Sequence, residues 1–266
     1  MKHLLNIALL LALLLTGCTT AQATPVPVPV TQAALNVFAA ASLTDAFTEI
    51  GENFQTANPG VTVTFNFAGS QALRTQIEEG APTDIFASAS GKEMDAAIEG
   101  KFIADGVKQV FLTNKLVIIL PADNPAGLEK LEDLTKSGVK IVLASEEVPV
   151  GNYARQALDL MNGSFGADFK DKVIANVVSN EDNVKQVVSK VQLGEADAGI
   201  VYTSDVVATP ELKSIEIPAE LNVIAKYPIA PLVKSENAYL AQAFIDYVLS
   251  DEGQAILAKW GFGPKP

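Results

Sequence analysis

Val37-Phe-Ala-Ala-Ala-Ser-Leu-Thr-Asp-Ala-Phe47 and Phe65-Asn-Phe-Ala-Gly-Ser-Gln-Ala-Leu-Arg74 each pass from a short apolar run, through small residues and a serine, straight into an amphipathic helical pattern. Strand, tight turn and helix in immediate succession is the unit from which α/β folds are assembled. The same turn sets a hydroxyl beside the free N–H groups of a helix start, which is how a chain builds an anion site without a fixed positive charge. Ser42 and Ser70 are therefore candidate ligand residues, and equally candidate N-caps of their own helices.

Outward from these two units the alternation continues. Strand patterns fall at 35–40, 61–67, 84–87, 115–120, 140–144, 176–178, 198–202 and 221–229. Helical patterns fall at 43–57, 71–79, 89–99, 128–136, 152–161, 182–193, 237–249 and 252–260. This order predicts largely parallel sheets. The middle block reads as a second lobe inserted into the first, with 116–120 and 223–229 as the two crossings. The expected lobes are 35–118 with 230–266, and 119–229.

Two further turns enter helices, at Val148-Pro-Val-Gly-Asn-Tyr-Ala154 and Glu181-Asp-Asn-Val-Lys185. Neither Val150 nor Val184 has a side-chain donor, so what each could offer is its main-chain N–H; ordinary capping of a loop-to-helix junction is the alternative. Tyr202 closes the strand pattern Gly199-Ile-Val-Tyr202, at the carboxyl end where α/β lobes place ligands. A buried tyrosine with an internal partner would look the same. Glu181 and Asp182 are better read as partners of a helix dipole than as metal ligands. Ser137-Gly-Val-Lys140 lacks the companion motif of a Ser-Lys hydrolase, and Gly261-Phe-Gly263 runs into proline and cannot form a dinucleotide loop.

The first residues carry a targeting pattern: Lys2 and His3 precede the apolar run 7–15, short of the ~20 residues a membrane span needs. It ends at Leu15-Thr-Gly-Cys18, so residues 1–17 are expected to be a signal peptide and Cys18 a site of lipid attachment, similar to bacterial lipoprotein signals. An ordinary secretory signal is the alternative. Residues 18–34 then form an uncharged Pro/Val/Thr spacer of extended character. Cys18 is the one cysteine and His3 the one histidine of the 266 residues. A Ser-His-Asp triad, a His-ligated zinc and a disulfide framework are thereby excluded from the rest of the chain. The formal charge of −12 argues against nucleic acid as a partner and gives no long-range attraction for anions, so local donors would have to hold one.

Together, Val37–Ala46, Phe67–Arg74, Gly80-Ala-Pro-Thr-Asp-Ile-Phe-Ala87, Val148–Ala154 and Gly199-Ile-Val-Tyr-Thr-Ser-Asp205 resemble, in order and over about residues 35–266, the molybdate-binding proteins of bacterial ABC importers. The resemblance implies a type II-like periplasmic binding fold, with two α/β lobes joined by two crossing strands and a ligand cleft between them. It implies a monomer outside the cytoplasm, anchored to the cell membrane through Cys18, that passes molybdate or tungstate to a permease and its ATPase subunits. Carried over by motif, the oxyanion is held by the hydroxyls of Ser42, Ser70 and Tyr202 and by the main-chain N–H groups of Val150 and Val184, with no cofactor, metal ligand or catalytic residue. A carrier for sulfate or phosphate is the nearest alternative, and a lipoprotein hydrolase a remote one.

Overall fold

β-branched and aromatic residues alternating with polar ones in Val61-Thr-Val-Thr-Phe-Asn-Phe67 suit a half-buried strand, and the apolar run Leu116–Leu120 suits a wholly buried one. A computed structural model describes residues 33–266 and bears out both. The expected signal peptide, Cys18 and the spacer lie outside the described residues, apart from the last two spacer positions, 33 and 34.

In chain order the elements are β1 (Ala33–Ala40), a 3-10 turn (Ala41–Leu43), α1 (Thr44–Ala57), β2 (Val61–Ala68), α2 (Ser70–Glu78), β3 (Ile85–Ala87), α3 (Gly91–Glu99) and β4 (Gln109–Leu120). A second 3-10 turn (Leu131–Thr135), β5 (Ile141–Ala144), α4 (Pro149–Phe165), α5 (Phe169–Ala175), β6 (Val177–Glu181), α6 (Val184–Gln192), β7 (Ala198–Tyr202), α7 (Thr203–Ala208) and β8 (Lys213–Glu216) follow. A third 3-10 turn (Ala219–Leu221), β9 (Ile224–Pro231), α8 (Ala238–Leu249) and α9 (Asp251–Lys259) complete the chain.

The strands line up as β2-β1-β3-β9-β4-β7-β5-β6, with β8 against β4. Parallel pairs form the two wings, β2-β1-β3 and β7-β5-β6. The expectation of largely parallel sheets holds only there, because β4 and β9 run antiparallel to each other and to their neighbours β7 and β3. Both return through the middle of the molecule, which reverses their direction relative to the strands they join. β4 is the bridge: Gln109–Lys115 pair with β9, whereas Leu116–Ile119 pair with β7. At the changeover the Asn222 side chain takes the Leu116 N–H and donates to the Leu116 carbonyl (3.0 and 2.8 Å). The expected crossings at 116–120 and 223–229 overlap β4 and β9.

Beneath β1 and β2, α1 and α8 pack Phe47, Phe54, Phe65, Phe111 and Phe244 into tilted and edge-on ring pairs with centroids 5.2 to 6.3 Å apart. Burying each such ring is worth about 1.5 to 3 kcal/mol, which holds the carboxyl ends of β1 and β2 in fixed places. The second wing is filled by Val142, Leu143, Leu158, Val187, Val191 and Ile200.

Candidate anion site

The carboxyl ends of β1, β2, β3, β5, β6 and β7, with the turns and helix starts that follow them, converge on one small pocket of about 10 Å³, lined by Ala40–Ser42, Ala68–Ser70, Ala89, Val148–Val150, Asn183, Val184 and Tyr202. All five residues singled out in the sequence are among them. No charged side chain lines it. A wider crevice nearby, with Lys92, Glu93, Asp95, Glu146 and Glu147 on its walls, carries more acid than base and would repel an anion.

The serines resolve against the capping alternative. Ser42 lies inside the first 3-10 turn rather than at the start of α1, and caps nothing. Its Oγ is 2.9 Å from the Tyr227 hydroxyl. Ser70 is the first residue of α2, behind Gly69 as N-cap, and its Oγ accepts the Ala89 N–H at 3.0 Å. Both serines are buried, so their second lone pairs and their protons face protein or pocket and not bulk water.

In the second wing, Pro149 opens α4 and Val150 follows it; Pro removes one unpaired N–H and leaves the next one exposed at the helix start. Gly151 lets the helix begin there, since a Cβ would stand only 2.0 Å from the Ser145 carbonyl oxygen. Val184 opens α6 behind Asn183, whose side chain accepts the Gln186 N–H at 3.1 Å. Among the described residues no carbonyl accepts the N–H of Val150 or Val184. Two helix N-termini therefore bring unpaired donors and positive dipole ends to the pocket lining, as anion sites require.

Tyr202 ends β7 with its ring buried and edge-on to Tyr227 (centroids 5.9 Å apart). Burial pushes its hydroxyl well above the usual range, so it keeps its proton. That hydroxyl has no hydrogen-bond partner. Among the described residues the other buried side-chain oxygens in that condition are Gln71 Oε1 and Asp205 Oδ1, one residue after Ser70 and three after Tyr202. Unmet polar groups are costly and rare. Of the three, Tyr202 alone lines the pocket, and Asp205 Oδ1 faces the Lys185 ammonium at 3.5 Å, so the Tyr202 donor is the group left for something from outside.

Behind the pocket sits a charge cluster that the sequence reading missed. Asp205 caps the Tyr202 N–H (3.1 Å), and Lys185 Nζ stands 2.8 Å from Asp45 and 3.5 Å from Asp205. Burial raises the Asp205 carboxyl to about 6, with Lys185 offsetting part of the shift. Burial alone would lower the Lys185 ammonium, but Asp205 and Asp45 outweigh it and raise it. The cation is thus committed to two acids. Tyr227 was also missed; its signal was a polar tip on the buried face Ala225/Tyr227/Ile229 of β9. Glu181, weighed as a metal ligand, pairs instead with Lys190 at 2.8 Å. Among the described residues no group of acids, histidines or cysteines could hold a metal.

A two-winged α/β protein whose helix starts face a charge-free pocket is built to hold a small anion and release it. Residues 35–263 match the bacterial extracellular solute-binding proteins, and the chain belongs to that family. It is 39% identical to the molybdate-binding protein ModA of Mycobacterium tuberculosis over 227 residues, 85% of this chain and 83% of the relative. It is 31% identical over 265 residues, 98% of either chain, to YvgL of Bacillus subtilis, which is named as an ABC transporter substrate-binding lipoprotein. A solved structure described as the substrate-binding domain of a molybdenum ABC transporter, from Clostridium difficile, superimposes with a TM-score of 0.66 at 34% identity, covering 88% of this chain and 99% of that one.

Proposed function

We propose that this solute-binding protein captures molybdate, and also tungstate, in the pocket between its wings and delivers it to a membrane permease driven by ATPase subunits. Ser42, Ser70 and Tyr202 would bind through their hydroxyls, and Val150 and Val184 through their N–H groups. The observation that carries the reading is the pocket's makeup: helix-start amides and buried hydroxyls meet there without a charged side chain or a carboxylate acceptor. Charge-assisted hydrogen bonds are worth ~1.5 to 3 kcal/mol each, so five can hold a dianion despite the acidic exterior. Phosphate near neutrality carries protons and needs an acceptor, and no carboxylate lines the pocket to supply a strong one. The molybdate-binding relative supports the same ligand.

The two lobes would close about the crossings at 115–116 and 222–224. Binding needs neither a catalytic group nor a cofactor, and one chain supplies every donor. Lipid at Cys18 would tether the protein outside the cytoplasm, with residues 19–34 as spacer; the lipoprotein relative favours this. Among the described residues no helix is long and apolar enough to cross a membrane. Expressed with its signal in a bacterium supplied with molybdate, the protein should sediment with membranes and carry one molybdenum per chain, and Cys18→Ser should release it. Soluble unaltered protein, or membrane retention of the variant after a high-salt wash, would contradict the tether; protein devoid of molybdenum would contradict the ligand.

A further inference from the structure

The three hydroxyls of the pocket differ in what stands behind them. Ser70 Oγ accepts a main-chain N–H, from Ala89, and a main-chain amide can only donate. Ser42 Oγ faces another hydroxyl, that of Tyr227, and either oxygen could give the proton. If Ser42 gives it, the serine turns only lone pairs to the pocket and repels an oxyanion. If Tyr227 gives it, the serine's own proton is left for the ligand.

The surroundings of Tyr227 decide between these. Its side chain is fully buried, edge-on to Tyr202 and Phe262. Burial raises its hydroxyl far above the ordinary tyrosine range, more than the neighbouring Ser42, Asn114 and Tyr202 side chains offset, so the proton stays on; the Tyr202 oxygen has no hydrogen-bond partner and does not take it. Asn114 offers no acceptor for it, because its carbonyl oxygen already takes the Thr203 hydroxyl and the Lys115 N–H, both at 3.0 Å. A Tyr227 that did not donate to Ser42 would bury its proton unpaired, which costs more than a hydrogen bond is worth.

We propose that Tyr227 is the positioning residue of the anion site: it donates to Ser42 Oγ and thereby turns the serine's single proton into the pocket. This rests on the pocket being the molybdate site. Ala89 N–H does the same for Ser70, and Tyr202 keeps a free proton, so all three hydroxyls are fixed as donors. The consequence is selectivity: an oxyanion without protons finds only donors, whereas hydrogen phosphate must give up a hydrogen bond of its own.

The test is a cycle of Tyr227→Phe, Ser42→Ala and the double variant, each titrated with molybdate and with phosphate. Tyr227→Phe should weaken molybdate binding roughly three- to tenfold when Ser42 is present and less than about twofold when it is alanine, while phosphate is unchanged or tighter. Equal weakening of both anions in both backgrounds would make Tyr227 a packing residue and overturn the proposal alone. Failure of the unaltered protein to bind molybdate would instead overturn the functional reading on which it rests. Should Tyr227→Phe not fold, tyrosine labelled with 13C at Cζ reports on the same bond: the Tyr227 resonance should move on adding molybdate and stay still in Ser42→Ala, and movement in both would overturn the proposal.

Discussion

Tyr202 and Ser70 make opposite demands on the fold, which separates binding from stability residue by residue. The Tyr202 hydroxyl has no protein partner, so Tyr202→Phe should leave the thermal midpoint unchanged or slightly raised while molybdate affinity falls about ten- to a hundredfold. Ser70→Ala should lower affinity alike and also cost ~1 to 3 kcal/mol of stability, because the buried Ala89 N–H loses its acceptor. Paired titrations and melting curves check both, and normal affinity in the two variants would refute these contacts. Asp205 carries a prediction in pH. Its carboxyl, raised to about 6 by burial, takes up a proton in the folded state that the unfolded chain binds only near its ordinary value of 3.8. Its contribution to stability is therefore fully present below ~4 and lost as pH rises through 6. The stability gained by Asp205→Asn relative to the unaltered protein should accordingly grow between pH 5 and 7, measured as the difference in thermal midpoint. A flat difference would contradict a titrating Asp205. Ser42 and Ser70 were legible as candidates because a serine after Ala-Ala or Ala-Gly at a strand end is a local signal, and Tyr202 because it closes a strand pattern at its carboxyl end. Tyr227 and Lys185 were not, since their partners lie 185 and 140 residues away in the chain.

At the scale of elements, the approach of α2 to the start of α6 closes the pocket. Gln71 Nε2 donates to the Asp182 carbonyl at 3.1 Å, and Lys185 on α6 reaches Asp45 on α1. Gly69 permits this contact, because a Cβ there would lie 2.5 Å from the Asp182 oxygen. Gly69→Ala should therefore weaken molybdate binding on the order of tenfold, with a smaller effect on the ligand-free thermal midpoint, since the clash exists only while the two segments are together. Calorimetry on the variant checks this, and unchanged affinity would show that α2 and α6 need not meet. Elements with strong periodicity were readable in advance: β1, β2, α3, β7 and α8 lie where the sequence puts them, give or take two residues. β8, α5 and α7 were not foreseen, being four to seven residues long and held by neighbours more than by their own pattern. The first half of β4 was missed because Gln109-Val-Phe-Leu-Thr-Asn114 alternates poorly; pairing with β9 makes it a strand.

For the whole molecule, the class of fold follows from the order of strand and helix patterns, and the absence of histidine and cysteine beyond residue 18 removes most enzymatic chemistry. The reversal of β4 and β9 could not be read this way, since direction within a sheet depends on which strands meet and not on any one segment. The same holds for the convergence of strand ends from both wings on one pocket, which the motifs suggested only through resemblance to a family. The acidic surface and the neutral pocket divide the work: long-range attraction is absent, and short hydrogen bonds select what stays. The most direct measurement is a calorimetric titration of the chain from residue 19 onward with molybdate, tungstate, sulfate and phosphate at matched ionic strength near pH 7. The account predicts one molybdate or tungstate per chain, each bound far more tightly than sulfate or phosphate. Sulfate or phosphate bound as tightly as molybdate would contradict it.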